Sequence, residues 1–395
     1  MDDRTLSTDE VARRLGVKRA TVYAYVSRGL LTGRRNANGK ESQFAEADVR
    51  AFEATRSRGT PARADSPAVH TGITLITSDN LFFRGYDAGL LARRKTYETV
   101  AGLLWTGELT DVQFQPDPAL RTLAEAVTAP LPASARLTDR LRIIVAAAGA
   151  ADRLRFDTTP AAVTATGRTL LGTMVAALPQ LADLYEDTLA AVLWSRLTTL
   201  PPTDPGIFAL NAAMVLLADH DLAASTFAAR VAASTRADPY AVVGAGLAVM
   251  DGPLHGAASG LAVEMLSAAV HGGDPLGTVS DRLRTDGAVP GFGHPLYPGG
   301  DPRATVLLSL LKKSSPVMDA VTEVADAMRT RAGVAPNIDL ALAAFTMLHD
   351  MPADAGEAIF AIARTAGWIA HAIEEYADQP SRFRPSGRYA GLPPL

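Results

Sequence analysis

The spacing of apolar positions changes character near residue 70. Up to there the pattern is short and broken. Val11, Ala12 and Leu15 fall at helical spacing after Thr8, a residue type that caps helices, and Gly16 ends the run. Val22 and Val26 mark the inward face of a second helix over 19–30, which leaves Arg19, Thr21, Tyr23 and Tyr25 to face outward. The Asn38-Gly39 pair between short extended runs predicts a hairpin, and a helix over 45–55 closes the module. From Ser57 to Pro67 turn formers and charges replace apolar side chains, as in a linker.

Beyond it, residues 72–83 form the one convincing β stretch, read as a short hairpin. From Ala92 onward alanine-rich segments with a 3.6-residue period predict helices over 97–105, 118–127, 134–148, 160–181, 184–197, 207–217, 223–233, 240–250, 257–269, 301–311, 316–330, 340–348 and 357–376. The fold class is therefore mainly α, and no internal repeat interrupts it.

Charge divides the chain at the same place. Residues 1–58 carry twelve Lys and Arg against eight Asp and Glu, a net of +4; the whole chain is −4, so the other 337 residues hold −8. A basic module joined to an acidic body is the implied arrangement. The absence of cysteine excludes a disulfide framework, a thiolate metal site and a cysteine nucleophile. No apolar run reaches membrane-spanning length and Met-Asp-Asp-Arg is no secretory start, so a cytoplasmic protein without membrane contact is expected.

Candidate chemistry concentrates between Gly252 and Arg303. Two histidines sit in glycine-rich turns, Gly-Pro-Leu-His255-Gly and Gly-Phe-Gly-His294-Pro-Leu-Tyr, and the second leads through Gly299-Gly300 to Asp301-Pro302-Arg303. Flanking glycines permit backbone conformations closed to other residues and a close approach of substrate. A planar guanidinium can grip a carboxylate by two parallel hydrogen bonds, and histidine titrates nearest neutrality. Single histidines in such turns are commonly structural; two of them with an arginine point to acid/base work on a small polyanion that still needs a base.

With these motifs the chain resembles the citrate synthase family, in which the base is an Asp of Pro-Asn-Val-Asp; here Pro336-Asn337-Ile338-Asp339 stands in that place. Arg364 follows Asp339 by twenty-five residues, Arg384 follows Arg364 by twenty, and Ala218-Asp219-His220-Asp221 matches the family's first substrate histidine. Phe83-Arg84-Gly85-Tyr86 and Leu103–Leu109 match its entry motif. The resemblance implies a two-domain helical fold over 68–395, with a small domain inserted within about 200–330. It implies condensation of acetyl-CoA with oxaloacetate and water to citrate and CoA. Asp339 would take a methyl proton, His255 would hold the thioester oxygen, and His294 would polarise and protonate the ketone. Arg303, Arg364 and Arg384 would bind carboxylates, His220 would add a hydrogen bond, and Arg384 would reach across a homodimer or higher oligomer. Val289, Gly291 and Gly293 would receive adenine, with Arg329 and Arg331 near the CoA phosphates. No tightly bound cofactor and no metal is implied. Asp339 also reads as an ordinary helix cap. Pro295, where many relatives have Arg, keeps propionyl-CoA and 2-methylcitrate synthesis open, and Ser259 stands where Asn is usual.

Residues 1–58 resemble the winged helix-turn-helix of MerR-type regulators and excisionase-like proteins, with 59–67 as linker. That likeness implies DNA as a partner, met by Arg19, Thr21 and Tyr23 of the second helix together with Arg28, Arg34, Arg35 and Lys40. A helical docking module without a DNA ligand is the alternative. So is a regulator that uses a degenerate enzyme fold as a metabolite sensor.

Overall fold

The computed structural model describes residues 5–15, 17, 19–27, 31, 33–35, 42–56, 69–253, 255–256, 258–312, 314–384 and 391. The chain divides into two compact units, residues 1–68 with 384–395, and residues 69–383.

In the first unit β1 (Thr5–Ser7), α1 (Thr8–Leu15), α2 (Arg19–Ser27), β2 (Gly33–Arg35), β3 (Ser42–Ala45) and α3 (Glu46–Arg56) follow one another. The three strands form an antiparallel sheet in the order β1-β3-β2. Leu6, Val11, Ala12, Leu15, Val22, Leu31, Phe44 and Val49 make its core. Two details differ from expectation. Ser7, one residue before Thr8, caps α1: its hydroxyl accepts from the Glu10 amide at 3.3 Å, while the Glu10 carboxylate accepts from the Ser7 amide at 2.8 Å. This reciprocal pair is a capping box. Tyr25 faces inward, not outward, with its ring 5.1 Å from that of Phe52. Tyr23 is 48% exposed, and exposed Arg19 pairs with Asp9 at 3.2 Å. The side chains of Arg34 and Arg35 on β2, together with Gly16, Arg28, the Asn38-Gly39 turn, Lys40 and the linker, lie outside the described residues.

The second unit opens with a three-stranded antiparallel sheet, β4 (Thr74–Ile76), β5 (Leu81–Phe83) and β6 (Tyr86–Asp87). Helices follow: α4 (Ala88–Arg94), α5 (Tyr97–Thr106), α6 (Pro118–Thr128), α7 (Leu137–Ala151), α8 (Pro160–Ala176), α9 (Leu189–Leu197), α10 (Asp204–Leu217), α11 (Ala224–Ser234) and α12 (Pro239–Met250). The last six are α13 (Ala258–Gly272), α14 (Pro275–Asp286), α15 (Pro302–Leu310), α16 (Pro316–Ala332), α17 (Ile338–Leu348) and α18 (Ala355–Ala377). Two of them, α4 and α14, lie outside the helices that the periodicity predicts. Helix α14 hides behind Gly272-Gly273-Asp274-Pro275, which reads as a loop; the Asp274 carboxylate in fact caps Gly277 and Pro275 opens the helix. Helix α8 stops at Ala176, short of the 181 expected.

Helix α18 is the axis of this unit. Residues 355–372 are buried throughout, and α18 packs on α5, α8, α10, α11, α12 and α17. Helices α13, α14 and α16 pack on one another, and α17 joins them to α18. Among the described residues no helix is long and apolar enough to cross a membrane.

Candidate active site

Three turns bring the chemistry together. The first follows α10, where Gly367 of α18 donates its amide to Ala218 at 3.0 Å. A Cβ at Gly367 would lie 2.4 Å from an Asp219 oxygen, so only glycine admits this approach. Asp219, fully buried, accepts from Thr74 at 2.6 Å and from the Asp221 amide at 3.0 Å, and pairs with His371 at 3.3 Å. The turn so fixed presents His220, and its neighbour His371, which matched no motif, is structural.

The second turn, 251–256, leaves the end of α12. Asp251 is gripped by Arg136 and Arg142, which flank the start of α7. The Gly256 amide donates back to Met250 at 3.1 Å, and a Cβ there would stand 2.5 Å from the same carbonyl oxygen. Glycine is required here for space; neither Gly252 nor Gly256 has a positive φ, contrary to the conformational role expected of them. His255 Nε2 accepts from the Ser225 amide at 3.3 Å and lies 2.7 Å from the Ser225 hydroxyl. A backbone N–H can only donate, so Nε2 carries no proton and Nδ1 does. Burial, aided by the Arg364 charge, pushes His255 down to about 4, so the ring is neutral at ordinary pH.

The third turn, 291–300, does use positive φ, at Gly291 (86°), Gly293 (79°) and Gly300 (127°). It is stitched to residues 335–337: the Gly293 amide donates to Ala335 at 2.9 Å, the Asn337 amide to Gly291 at 2.9 Å, and Asn337 Nδ2 to the Gly293 carbonyl at 3.0 Å. His294 Nδ1 accepts from the Leu296 amide at 3.2 Å, so its proton sits on Nε2. Its pKa is lowered by burial and then by Arg303.

Asp339 stands in the first turn of α17. The cap of that helix is Asn337, whose side-chain oxygen accepts from the Asp339 amide at 3.0 Å; the capping duty expected of Asp339 falls to its neighbour. The Asp339 carboxylate opens on one side to the cleft and is otherwise enclosed. Burial raises its pKa to about 6, against the pull of Arg303. That value suits a general base working near neutrality.

The two arginines differ. Arg364, wholly buried, donates Nε to Leu217 at 2.7 Å and lies 4.7 Å over the Phe360 ring, while Nη1 and Nη2 have no partner among the described residues. Two unmade buried donors on one guanidinium are expensive and call for a bidentate anion. Arg303 has its Nε and Nη2 edge taken by Asp301, at 3.0 and 2.8 Å. The two-pronged grip expected of Arg303 is thus already spent within the protein on that edge, and its Nη1 side remains for a ligand. Asp301 also accepts from the Ile338 amide at 3.0 Å, which ties the starts of α15 and α17 together.

His220, His255, His294, Arg303, Asp339 and Arg364 all line one cleft of about 640 Å³, with Phe360, Pro295 and Asn337. The His220 and His294 rings are 5.2 Å apart. Arg384 is exposed and belongs to the other unit. Val289 and Gly291 are buried, and the loop's main-chain groups at Gly291 and Gly293 are engaged with residues 335–337, which narrows what they can offer adenine. Arg329 and Arg331 are exposed at the end of α16, away from the cleft lining, and Arg329 pairs with Asp326 at 3.5 Å. Sequence reasoning passed over Ser225, which belongs to no motif and meets His255 only through the fold. It also passed over Tyr297 and Asp301, which lie inside the quoted motifs.

Comparison with known proteins gives this arrangement its relatives. The family model described as "Citrate synthase, C-terminal domain" matches residues 63–386, and that described as "Helix-turn-helix domain" matches residues 5–57. A citrate synthase of Haloferax volcanii is 32% identical over 346 residues, covering 79% of this chain and 89% of that one. A 2-methylcitrate synthase of Corynebacterium glutamicum is 29% identical over 343 residues, 80% and 89% of the two chains. Among solved structures, citrate synthase of Thermoplasma acidophilum in ternary complex with carboxymethyl coenzyme A and oxaloacetate superposes with a TM-score of 0.69 at 25% identity, covering 83% of this chain and 95% of that one. The chain belongs to the citrate synthase family of acyltransferases and carries a helix-turn-helix domain at its amino end.

Proposed function

We propose that this protein condenses acetyl-CoA with oxaloacetate and water, giving citrate and CoA. The observation that carries the reading is the gathering of an enclosed carboxylate and two neutral imidazoles of fixed tautomer in one cleft with an arginine whose Nη1 and Nη2 have no partner among the described residues. Asp339 takes a proton from the acyl methyl while His255 donates its Nδ1–H to the thioester oxygen, which stabilises the enol. The enol carbon attacks the ketone of oxaloacetate, and His294 gives its Nε2 proton to the oxygen that becomes the hydroxyl. Water then cleaves the thioester and CoA leaves as the thiol. Arg364 binds a carboxylate through Nη1 and Nη2, with Arg303 and His220 completing the dicarboxylate site. Arg384 would act from the second subunit of a homodimer. CoA would lie along 289–293, with Arg329 and Arg331 as cations for its phosphates.

Propionyl-CoA is the competing acyl donor: Pro295 lines the cleft, and the relatives bear both names. Release of free thiol by the purified protein, measured with oxaloacetate and either acyl-CoA, tests reaction and acyl preference together. No thiol release with either donor would sink the reading.

A second reading rests on the helix-turn-helix match: the amino-terminal unit binds duplex DNA and the protein links metabolite and operator. Tyr23 and Thr21 of α2, with Arg19, would meet the groove, and Arg28, Arg34, Arg35 and Lys40 the phosphates. Mobility shifts should then weaken steeply as salt rises. No shift at low salt would make the unit a docking module.

A further inference from the structure

Tyr297 follows His294 by three residues and is buried, 2% exposed. Its ring lies 4.9 Å from that of His294 and 5.7 Å from the Arg303 guanidinium carbon. Its hydroxyl lies 3.0 Å from His220 Nε2, the one hydrogen-bond partner it has among the described residues. Burial and the charges of Arg303 and Arg364 push His220 well below its ordinary value, and burial pushes Tyr297 up to about 12. Both groups are therefore neutral across the physiological range.

Two arrangements of the shared proton are conceivable. If His220 Nε2 donated to the phenol oxygen, the phenol hydrogen would be left without an acceptor in a buried place, at a cost of roughly 1–3 kcal/mol. If the phenol donates to Nε2, the phenol hydrogen is satisfied and the imidazole proton moves to Nδ1, where the cleft and not the protein has to supply the acceptor. That atom has no protein partner among the described residues, on a side chain that lines the cleft.

We propose that Tyr297 is a positioning residue for the dicarboxylate: by donating its hydroxyl to His220 Nε2 it locks His220 in the Nδ1–H form, so that the ring offers the cleft a hydrogen-bond donor and never a lone pair. The inference rests on the assignment of oxaloacetate to this cleft. A lone pair at that atom would face a substrate oxygen and repel it; the fixed donor turns the same contact into attraction. It complements Arg364, whose positive charge attracts any anion but does not discriminate a carbonyl from a carboxylate.

The full-length protein labelled with 15N-histidine tests this, with Tyr297→Phe as the variant, since Phe keeps the ring against Arg303 and His294. In the parent the nitrogen shifts of His220, assigned by difference against His220→Gln, should show a protonated Nδ1 and a bare Nε2. In Tyr297→Phe that pattern should be lost or mixed. Oxaloacetate affinity by calorimetry and its KM should worsen by about tenfold, while kcat at saturation falls less than about threefold. A merely structural role would lower thermal stability and the handling of both substrates without moving the tautomer. A parent protein with the proton on Nε2 overturns the proposal, and so does a Tyr297→Phe variant that binds oxaloacetate as the parent does. Neither measurement needs turnover, so a parent that binds oxaloacetate yet releases no thiol would sink the condensation reading alone.

Discussion

The turn around His255 and the turn around His294 look alike in sequence and are built differently. Each puts an imidazole between glycines. In the first the glycine makes room, since a Cβ at Gly256 would collide with the end of α12. In the second the glycines supply positive φ, at Gly291, Gly293 and Gly300. The first ring is anchored through Nε2 by Ser225 of α11, the second through Nδ1 by the main chain two residues on. The outcome is a pair of neutral donors of opposite tautomer lining one cleft. The same motif grammar thus conceals two structural solutions, and the chemistry depends on which ring nitrogen each one occupies.

The comparison would break most severely at Asp339, the base proposed for both. Asp339→Asn keeps the shape at the start of α17 and removes proton abstraction, so kcat for thiol release should fall by about a thousandfold, within the usual span for a general base. Near-normal turnover would remove Asp339 from the mechanism. Burial holds this carboxyl at about 6 against 3.8 when free, so the folded state favours the protonated form. Stability from this group is fully present below pH 3.8 and is lost as pH rises through 6. The Asn variant should therefore melt higher than the parent at pH 8 and not at pH 4.

The same value separates Asp339 from His255 in the pH profile. With Asp339 ionising near 6 and His255 neutral above about 4, kcat/KM should fall about tenfold per pH unit below 6. A first break near 4 would assign the acid limb to His255 instead.

Glycine substitutions sharpen the contrast between the turns. Gly256→Ala must displace the Met250 carbonyl and should cost about 1–3 kcal/mol by overpacking. Gly293→Ala meets only the end of Val334, at 3.2 Å, but forces a φ of 79° on alanine, at about 1–2 kcal/mol. Thermal melts read both. Gly256→Asn, whose residue type tolerates left-handed backbone, should be no rescue, whereas Gly293→Asn should recover part of the loss; the opposite order would reverse the two explanations.

The smallest effect is expected at Ser225→Ala. The hydroxyl contact is lost but the amide still holds His255 Nε2, so kcat should drop by only about two- to tenfold. A drop as large as that of Asp339→Asn would mean that the hydroxyl, and not the amide, sets the tautomer.

His255, His294 and Arg303 could be singled out because they sit in short glycine-rich motifs, whereas Asp339 and Arg364 were reached only through the family resemblance and its spacing; all five line the cleft. What stayed hidden is what the fold adds from a distance. Ser225 lies thirty residues from His255 and no pattern joins them. Arg303 read as a free guanidinium although Asp301, two residues before it, holds one edge. Tyr25 read as outward because its partner Phe52 comes from α3, beyond the reach of a helical period. Helix α14 was missed because Gly-Gly-Asp-Pro is both a break and, through Asp274 and Pro275, a helix start.

The seam between 291–293 and 335–337 has a further consequence. Between its two edges the chain makes a closed excursion of some forty residues that includes α15 and α16, leaving from Gly293 and returning to Ala335. His294 is the first residue of this excursion after Gly293 and Asp339 comes four residues after its return at Ala335, so their spacing is set by the hydrogen bonds across the seam. Natural drift can therefore lengthen, shorten or recompose the joint between α15 and α16 with little effect on the distance from His294 to Asp339, whereas a proline at Gly293 would remove its bond to Ala335 and a proline at Asn337 would remove both bonds that residue makes to the turn.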